Sequence, residues 1–129
     1  SNEGMTMDNF KRQFKQGDDY CDIRADYRSL ISIGKSVEET EDLLLRAELA
    51  LRAGKTALAG AWLDCLDDRR SRKWRLLRCD VYLAEQNPAE ALEVLRPLGE
   101  DTETLPRLET CYRETGDFQN AYRCAVAQR

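Results

Sequence analysis

Residues that break helices are confined in this chain to short clusters between stretches of 3.6-residue apolar periodicity, and this punctuation constrains the fold more than any other feature. Ile23, Tyr27, Leu30 and Ile31 make one apolar stripe that Gly34 ends. Ser36-Val37-Glu38-Glu39 then reads as a capping box, with the Ser36 hydroxyl and the Glu39 carboxylate placed to satisfy the first free amides of a helix running to about Ala53. Gly54 stops it. A shorter helix from about Thr56 to Asp67 would turn Leu58, Ala59, Trp62, Leu63 and Leu66 inward. The same order returns twice. A helix over about Arg72 to Gln86 meets Asn87-Pro88-Ala89-Glu90, where Asn87 is placed to cap and Pro88 suits the first helical position, and a short helix follows to about Leu98. Helices over about Thr102 to Thr115 and Phe118 to Gln128 are separated by Gly116-Asp117.

Aligning the turns sets ALRAGKTALA (50–59) beside YLAEQNPAEA (82–91) and YRETGDFQNA (112–121). Tyr82 and Tyr112, Gly54 and Gly116, and Ala59, Ala91 and Ala121 coincide, and over roughly 40–129 this pattern resembles the tetratricopeptide repeat (TPR). The matched alanines lie 32 and 30 residues apart, against about 34 for that family's unit. The small residue usual in the first helix is met by Ala47 and Cys79 but replaced by Glu109. The expected fold is therefore all-α: an α-solenoid of about three TPR-like helical hairpins over residues 20–129, preceded by one or two N-terminal helices. Residues 1–19 read as an N-terminal arm. Its first four residues have the look of a tag remnant, and Met7, Phe10 and Phe14 form a short helix with Lys11, Arg12 and Lys15 on its other side.

Composition narrows the function. With 20 basic and 24 acidic residues, the chain lacks the positive surplus that a phosphate backbone demands, so nucleic acid is not an expected partner. No apolar run approaches a membrane span and no signal-peptide pattern opens the chain, which points to a cytoplasmic protein without a membrane partner. Histidine, the commonest general base and metal ligand, is absent. The five cysteines (Cys21, Cys65, Cys79, Cys111 and Cys124) are odd in number and contain no CxxC, so neither a disulfide framework nor a zinc site is expected; buried, reduced thiols are. Gly34-Lys35-Ser36 lacks the upstream glycines and strand of a phosphate-binding loop. No enzyme, no metal and no cofactor is expected.

The resemblance implies a protein-binding module: an adaptor, a secretion-type chaperone or a regulatory domain. It implies a concave groove lined by the first helix of each hairpin, near Glu41, Leu44, Glu48, Leu51 and Arg52, then Lys73, Leu76, Asp80 and Leu83, then Glu103, Arg107, Thr110, Arg113 and Glu114. A subclass of the family clamps a partner's C-terminal carboxylate. Leu44, Glu48, Leu77, Glu103 and Arg107 stand at the positions of its donors, and only Arg107 can donate. The expected ligand is instead a peptide or protein with basic and apolar side chains, complementary to Glu41, Glu48, Asp80 and Glu103; the alternative is that these are solvated charges. The basic helix of the arm is a further candidate occupant of that groove. The basic run Arg69-Arg70-Ser71-Arg72-Lys73 follows Asp64, Asp67 and Asp68 and is expected to be neutralised locally. Ala121, Tyr122 and Ala125, with Cys124 and Val126, form a second candidate surface on the last helix. There the chain is a fragment, pairs with a second copy as a homodimer, or leaves little surface to cover. A self-associating structural spacer is the alternative function. An enzyme with an unrecognised carboxylate or thiol site is a more distant one.

Overall fold

A computed structural model describes residues 36–129 as six α-helices with no strand among them: α1 Val37–Arg52, α2 Thr56–Asp64, α3 Arg72–Ala84, α4 Pro88–Leu95, α5 Thr104–Thr115 and α6 Phe118–Ala127. A turn of 3-10 helix, Arg96–Leu98, extends α4. The arm over 1–19, its basic helix, the Ile23 to Ile31 stripe, Gly34 and Cys21 lie outside the described residues.

Local chemistry sets the helix starts. The Ser36 hydroxyl accepts the Glu39 amide at 3.0 Å, which is one half of the expected capping box; the reciprocal bond from the Ser36 amide to Glu39 is absent. Ser71 does the same for α3 through the Trp74 amide at 3.2 Å. Asp117 caps α6 through the Asn120 amide, also at 3.2 Å. Asn87 occupies the start of α4 but its side chain makes no capping bond, so the fixed φ of Pro88 begins that helix instead. The α5 start is a reciprocal box: Asp101 Oδ1 accepts the Thr104 amide at 2.9 Å while Thr104 Oγ1 accepts the Asp101 amide at 2.8 Å. Thr104 is fully buried yet satisfied, because its hydroxyl also donates to the Gly99 carbonyl at 2.8 Å. This box delays α5 from the expected Thr102 to Thr104.

The three paired helices end alike. Lys55, Asn87 and Asp117 donate their amides to the Ala50, Tyr82 and Tyr112 carbonyls, each at 2.8 Å, while Gly54, Gln86 and Gly116 donate to Leu51, Leu83 and Arg113. This is one six-to-one, five-to-two closure made three times, and it needs a left-handed residue at its centre. Gly54, Gln86 and Gly116 supply it with φ of 76°, 60° and 87°. The expected helix to Gln86 therefore stops at Ala84. The α2 helix stops at Asp64 and not Asp67 because Cys65 and Leu66 donate three residues back, tightening the last turn and seating both side chains in the core.

Each helix packs on the next, and α1 meets α3 as α3 meets α5. The core divides in two. One cluster joins Leu43, Leu44, Ala47 and Ala50 of α1 to Ala59, Trp62 and Leu63 of α2 and to Trp74, Leu77 and Val81 of α3. The other joins Leu76 and Cys79 of α3 to Ala91 and Leu95 of α4, Leu105, Leu108 and Cys111 of α5, and Cys124 of α6. Ala59, Ala91 and Ala121 are all buried, so the second helix of each pair meets its neighbours through a methyl group. Trp74 also donates from Nε1 to the Leu63 carbonyl at 3.0 Å, tying α3 to the end of α2. Cys65, Cys79, Cys111 and Cys124 are buried free thiols. Contact with the Cys111 thiol, together with burial, pushes the Cys79 thiol up.

A β-carbon at Gly54 or Gly116 would meet nothing within 4 Å, so only the backbone requires glycine there. Gln86→Gly is expected to raise stability by about 0.5 kcal/mol, the relief of a left-handed non-glycine less the entropy glycine regains on unfolding. Gly116→Ala is expected to lower it by about 1 kcal/mol. Urea unfolding midpoints at unchanged slope check both.

Candidate functional site

The helices α1, α3 and α5 lie side by side, and their common face holds a depression of about 300 Å³. Its apolar part comes from Leu51, Leu76 and Leu77; its charged part comes from Glu48 and Arg52 of α1, Lys73 and Asp80 of α3, Arg107 of α5 and Glu103 just before α5. Four-residue spacing aligns Glu48 with Arg52, and three- and four-residue steps bring Lys73, Leu76, Leu77 and Asp80 onto one side of α3.

The carboxylates of this face are engaged. Glu48 accepts Lys73 Nζ and Arg52 Nη2, each at 2.8 Å. Lys73, seconded by Arg52, lowers the pKa of Glu48 against the opposing effect of burial. Asp80 takes the Arg107 guanidinium in a fork, at 2.8 Å from Nε and 2.9 Å from Nη2, and the remaining Nη1 donates to the Glu103 carbonyl at 2.7 Å. Glu103 is held at 2.9 Å by Arg72, which also reaches Asp101 at 2.8 Å. Three acids therefore face three bases, Arg52, Lys73 and Arg107, and the face is mixed without an acidic surplus.

Of the groove residues expected from sequence, Glu48, Leu51, Arg52, Lys73, Leu76, Asp80, Glu103 and Arg107 line this depression. Leu44 does not: at 9% exposure it points into the first core cluster, because the helical rotation places it with Leu43 and Ala47. Glu41 is exposed on α1 away from the depression. Thr110 returns its hydroxyl to the Pro106 carbonyl at 3.1 Å, and Arg113 pairs with Glu109 at 3.1 Å. Leu83 packs against the second cluster, and Glu114 is exposed outside the depression. Leu77 is the lining residue left out of the expected groove; its signal was its place between Leu76 and Asp80 on one turn. Among the five positions compared with a carboxylate clamp, Leu44 and Leu77 are buried and Arg107, the only donor, is committed to Asp80.

The basic run before α3 is neutralised differently from the expectation. Arg70 does pair with Asp68 at 3.6 Å, but Arg72 crosses to Asp101 and Glu103 and Lys73 crosses to Glu48. Arg69 spends its donors on the Leu66 and Asp64 carbonyls, closing the turn after α2.

On the last helix Ala121 and Cys124 are buried and Ala125 is half-buried, whereas Tyr122 is 71% exposed. Phe118 and Val126, four residues either side of Tyr122, are exposed with it. Among the described residues, no group of three or more Cys, Asp or Glu side chains is placed to hold a metal, and no helix is long and apolar enough to cross a membrane.

The Arg72 link makes stability acid-sensitive. The guanidinium and the Thr104 and Glu103 amides hold the Asp101 carboxyl well below the usual carboxylate range. A carboxyl whose folded pKa is depressed contributes fully above its unfolded value of about 4 and loses that contribution as pH falls toward the folded value. The wild-type urea midpoint is thus expected to drop between about pH 5 and pH 2, from about one unit above the unfolded carboxylate pKa downward, and Arg72→Ala to flatten part of that slope. An unchanged slope in the variant would count against the link.

Compared with protein-family models, with curated proteins and with solved structures, the chain finds no match in any of the three.

Proposed function

We propose that this chain is a protein-interaction module of TPR-like architecture, an α-solenoid of three helical hairpins that holds a peptide segment against the face shared by α1, α3 and α5. What supports the architecture is the threefold recurrence of one turn closure at Gly54, Gln86 and Gly116, the buried alanines that follow each turn, and the contact of each first helix with the next. What carries the function is the depression on that face: a leucine floor ringed by charges that pair across helices. A cytoplasmic adaptor or regulatory role fits such a surface.

The ligand that suits it carries an apolar side chain to lie over Leu51, Leu76 and Leu77, flanked by a basic side chain. Lys73 is half-exposed and holds Glu48 by one ammonium contact, so an incoming guanidinium can take over Glu48 and leave Lys73 to solvent. Asp80 is harder to take, because Arg107 already forks it. Exchange of one ion pair for another changes the net energy little, so the apolar contact supplies the affinity and Glu48 the selectivity.

Panning a random dodecapeptide phage library against the protein tests this, with the Glu48→Lys variant as counter-selection. Enriched peptides are expected to pair a leucine- or phenylalanine-class residue with arginine or lysine, and to lose about tenfold in affinity on the reversed variant, about the worth of one charge-assisted contact. No enrichment, or equal binding to wild type and variant, would remove the proposal.

A further inference from the structure

Two of the buried thiols meet across the seam between α3 and α5. Cys79 of α3 and Cys111 of α5 are both 0% exposed and belong to the second core cluster. The Asp80–Arg107 fork sets the level of the two helices. Cys79 is the residue before Asp80 and Cys111 follows Arg107 by one helical turn, so the fork brings both sulfurs to the same stretch of the seam. They interact directly there. The repeat register shows what the equivalent place holds one seam earlier. Counting back from the turns at Gly54, Gln86 and Gly116, Cys79 corresponds to Ala47 of α1 and Cys111 to Val81 of α3, both fully buried in the first cluster. An alanine and a valine fill the earlier seam; at the later one the same two positions carry sulfur.

The interaction makes the two sulfurs unequal. The Cys79 thiol lowers the pKa of Cys111 against the opposing effect of burial, while Cys111 and burial together push Cys79 up. Cys111 is therefore the sulfur that ionises first, and the thiolate is the form that attacks an oxidant. The thiol needed to finish the reaction already stands beside it. Cys124, in the same cluster, has its pKa raised by burial, with charges and not a thiol as the further influences. The side chains around the pair are partly open to solvent: Asp80 and Arg107 are 33% and 27% exposed, and Tyr82, Leu83 and Tyr112 are only partly buried. A peroxide, little larger than water, can pass such a layer where a bulkier oxidant cannot.

We propose that Cys79 and Cys111 are a modification site, which a peroxide oxidises to a disulfide that staples α3 to α5 beside the depression and which a thiol reductant restores. The Cys111 thiolate attacks one oxygen of hydrogen peroxide, the O–O bond breaks and hydroxide leaves, giving a sulfenic acid on Cys111. The Cys79 sulfur attacks that sulfur, the S–S bond forms, and the sulfenic oxygen departs as water with the Cys79 proton. In sum, two thiols and one peroxide give one disulfide and two waters. A disulfide spans about 4.4–6.8 Å between Cα atoms, and α3 and α5 come within 8 Å of each other. The staple closes a loop of about thirty residues that contains α4, so it constrains the unfolded chain and fixes the Asp80–Arg107 side of the depression. The thiol pair acts in this way whether or not a peptide occupies the depression.

Peptide mapping of the full chain tests this. The reduced protein is freed of reductant, treated with excess hydrogen peroxide at neutral pH, unfolded, alkylated and digested with trypsin. The expected product is a monomer that yields segments 79–107 and 108–113 joined by a bond that dithiothreitol opens, with Cys65 and Cys124 recovered as alkylated thiols. Its urea midpoint is expected to exceed that of the reduced protein by on the order of 1 M, a gain that dithiothreitol removes. Cys79→Ala and Cys111→Val install the residues of the earlier seam. Each is expected to keep the wild-type circular dichroism spectrum and to lose both the linked peptides and the shift. Thiols that stay reduced, a link from Cys111 to Cys124 or Cys65 in place of Cys79, oxidation of the pair beyond the sulfenic stage without a link, or the same shift in both variants overturns the proposal.

Discussion

The rest of the structure depends on the burial of α3 on two sides at once. Trp74, Leu77 and Val81 enter the cluster shared with α1 and α2, while Leu76 and Cys79 enter the cluster shared with α4, α5 and α6. Each such side chain is worth about 1.5–3 kcal/mol when fully buried, so this one helix joins two cores that would each be small alone. Its polar groups are used in the same way. Trp74 reaches back to the Leu63 carbonyl, and Arg75 donates to the Val94 carbonyl at 3.1 Å on the other side. The charged face left over, with Lys73 and Asp80, can only look toward α1 and α5, which is why the depression forms there.

The ion pairs on that face act as rivets between first helices more than as free recognition groups. Lys73 to Glu48 joins α3 to α1, Asp80 to Arg107 joins α3 to α5, and Arg72 ties the start of α3 to the turn that begins α5. Exposed pairs of this type contribute little singly, about 0–1 kcal/mol. Their effect is geometric: they fix the rim of the depression, and they cancel the charge that the carboxylates would otherwise present.

Much of the fold was legible in the sequence because its determinants are local. Helix periodicity, the Ser36 cap, Pro88 and the Gly54 and Gly116 turns are all decided within a few residues of chain. The Ser71 cap and the Asp101–Thr104 box were local too and carried a readable signal, a short polar side chain three residues before the amide it satisfies. Gln86 was not readable as a left-handed residue, since glutamine carries no preference for that conformation; only its alignment with Gly54 and Gly116 marks it.

What the sequence by itself determined is the all-helical chain and its punctuation, because these follow from local periodicity and turn residues; eight residues that line the depression are placed near a groove only by the family resemblance. What only the tertiary structure decided is which side of a uniformly apolar stretch is buried and which charge meets which. Leu43-Leu44-Leu45 reads as three equal leucines, yet rotation by about 100° per residue buries the first two and exposes the third. Arg72 has Asp68 four residues away and pairs instead across about thirty residues of chain with Asp101 and Glu103, because α3 and α5 pack side by side and bring them within reach. Contacts of that range are fixed by packing, and no local pattern records them.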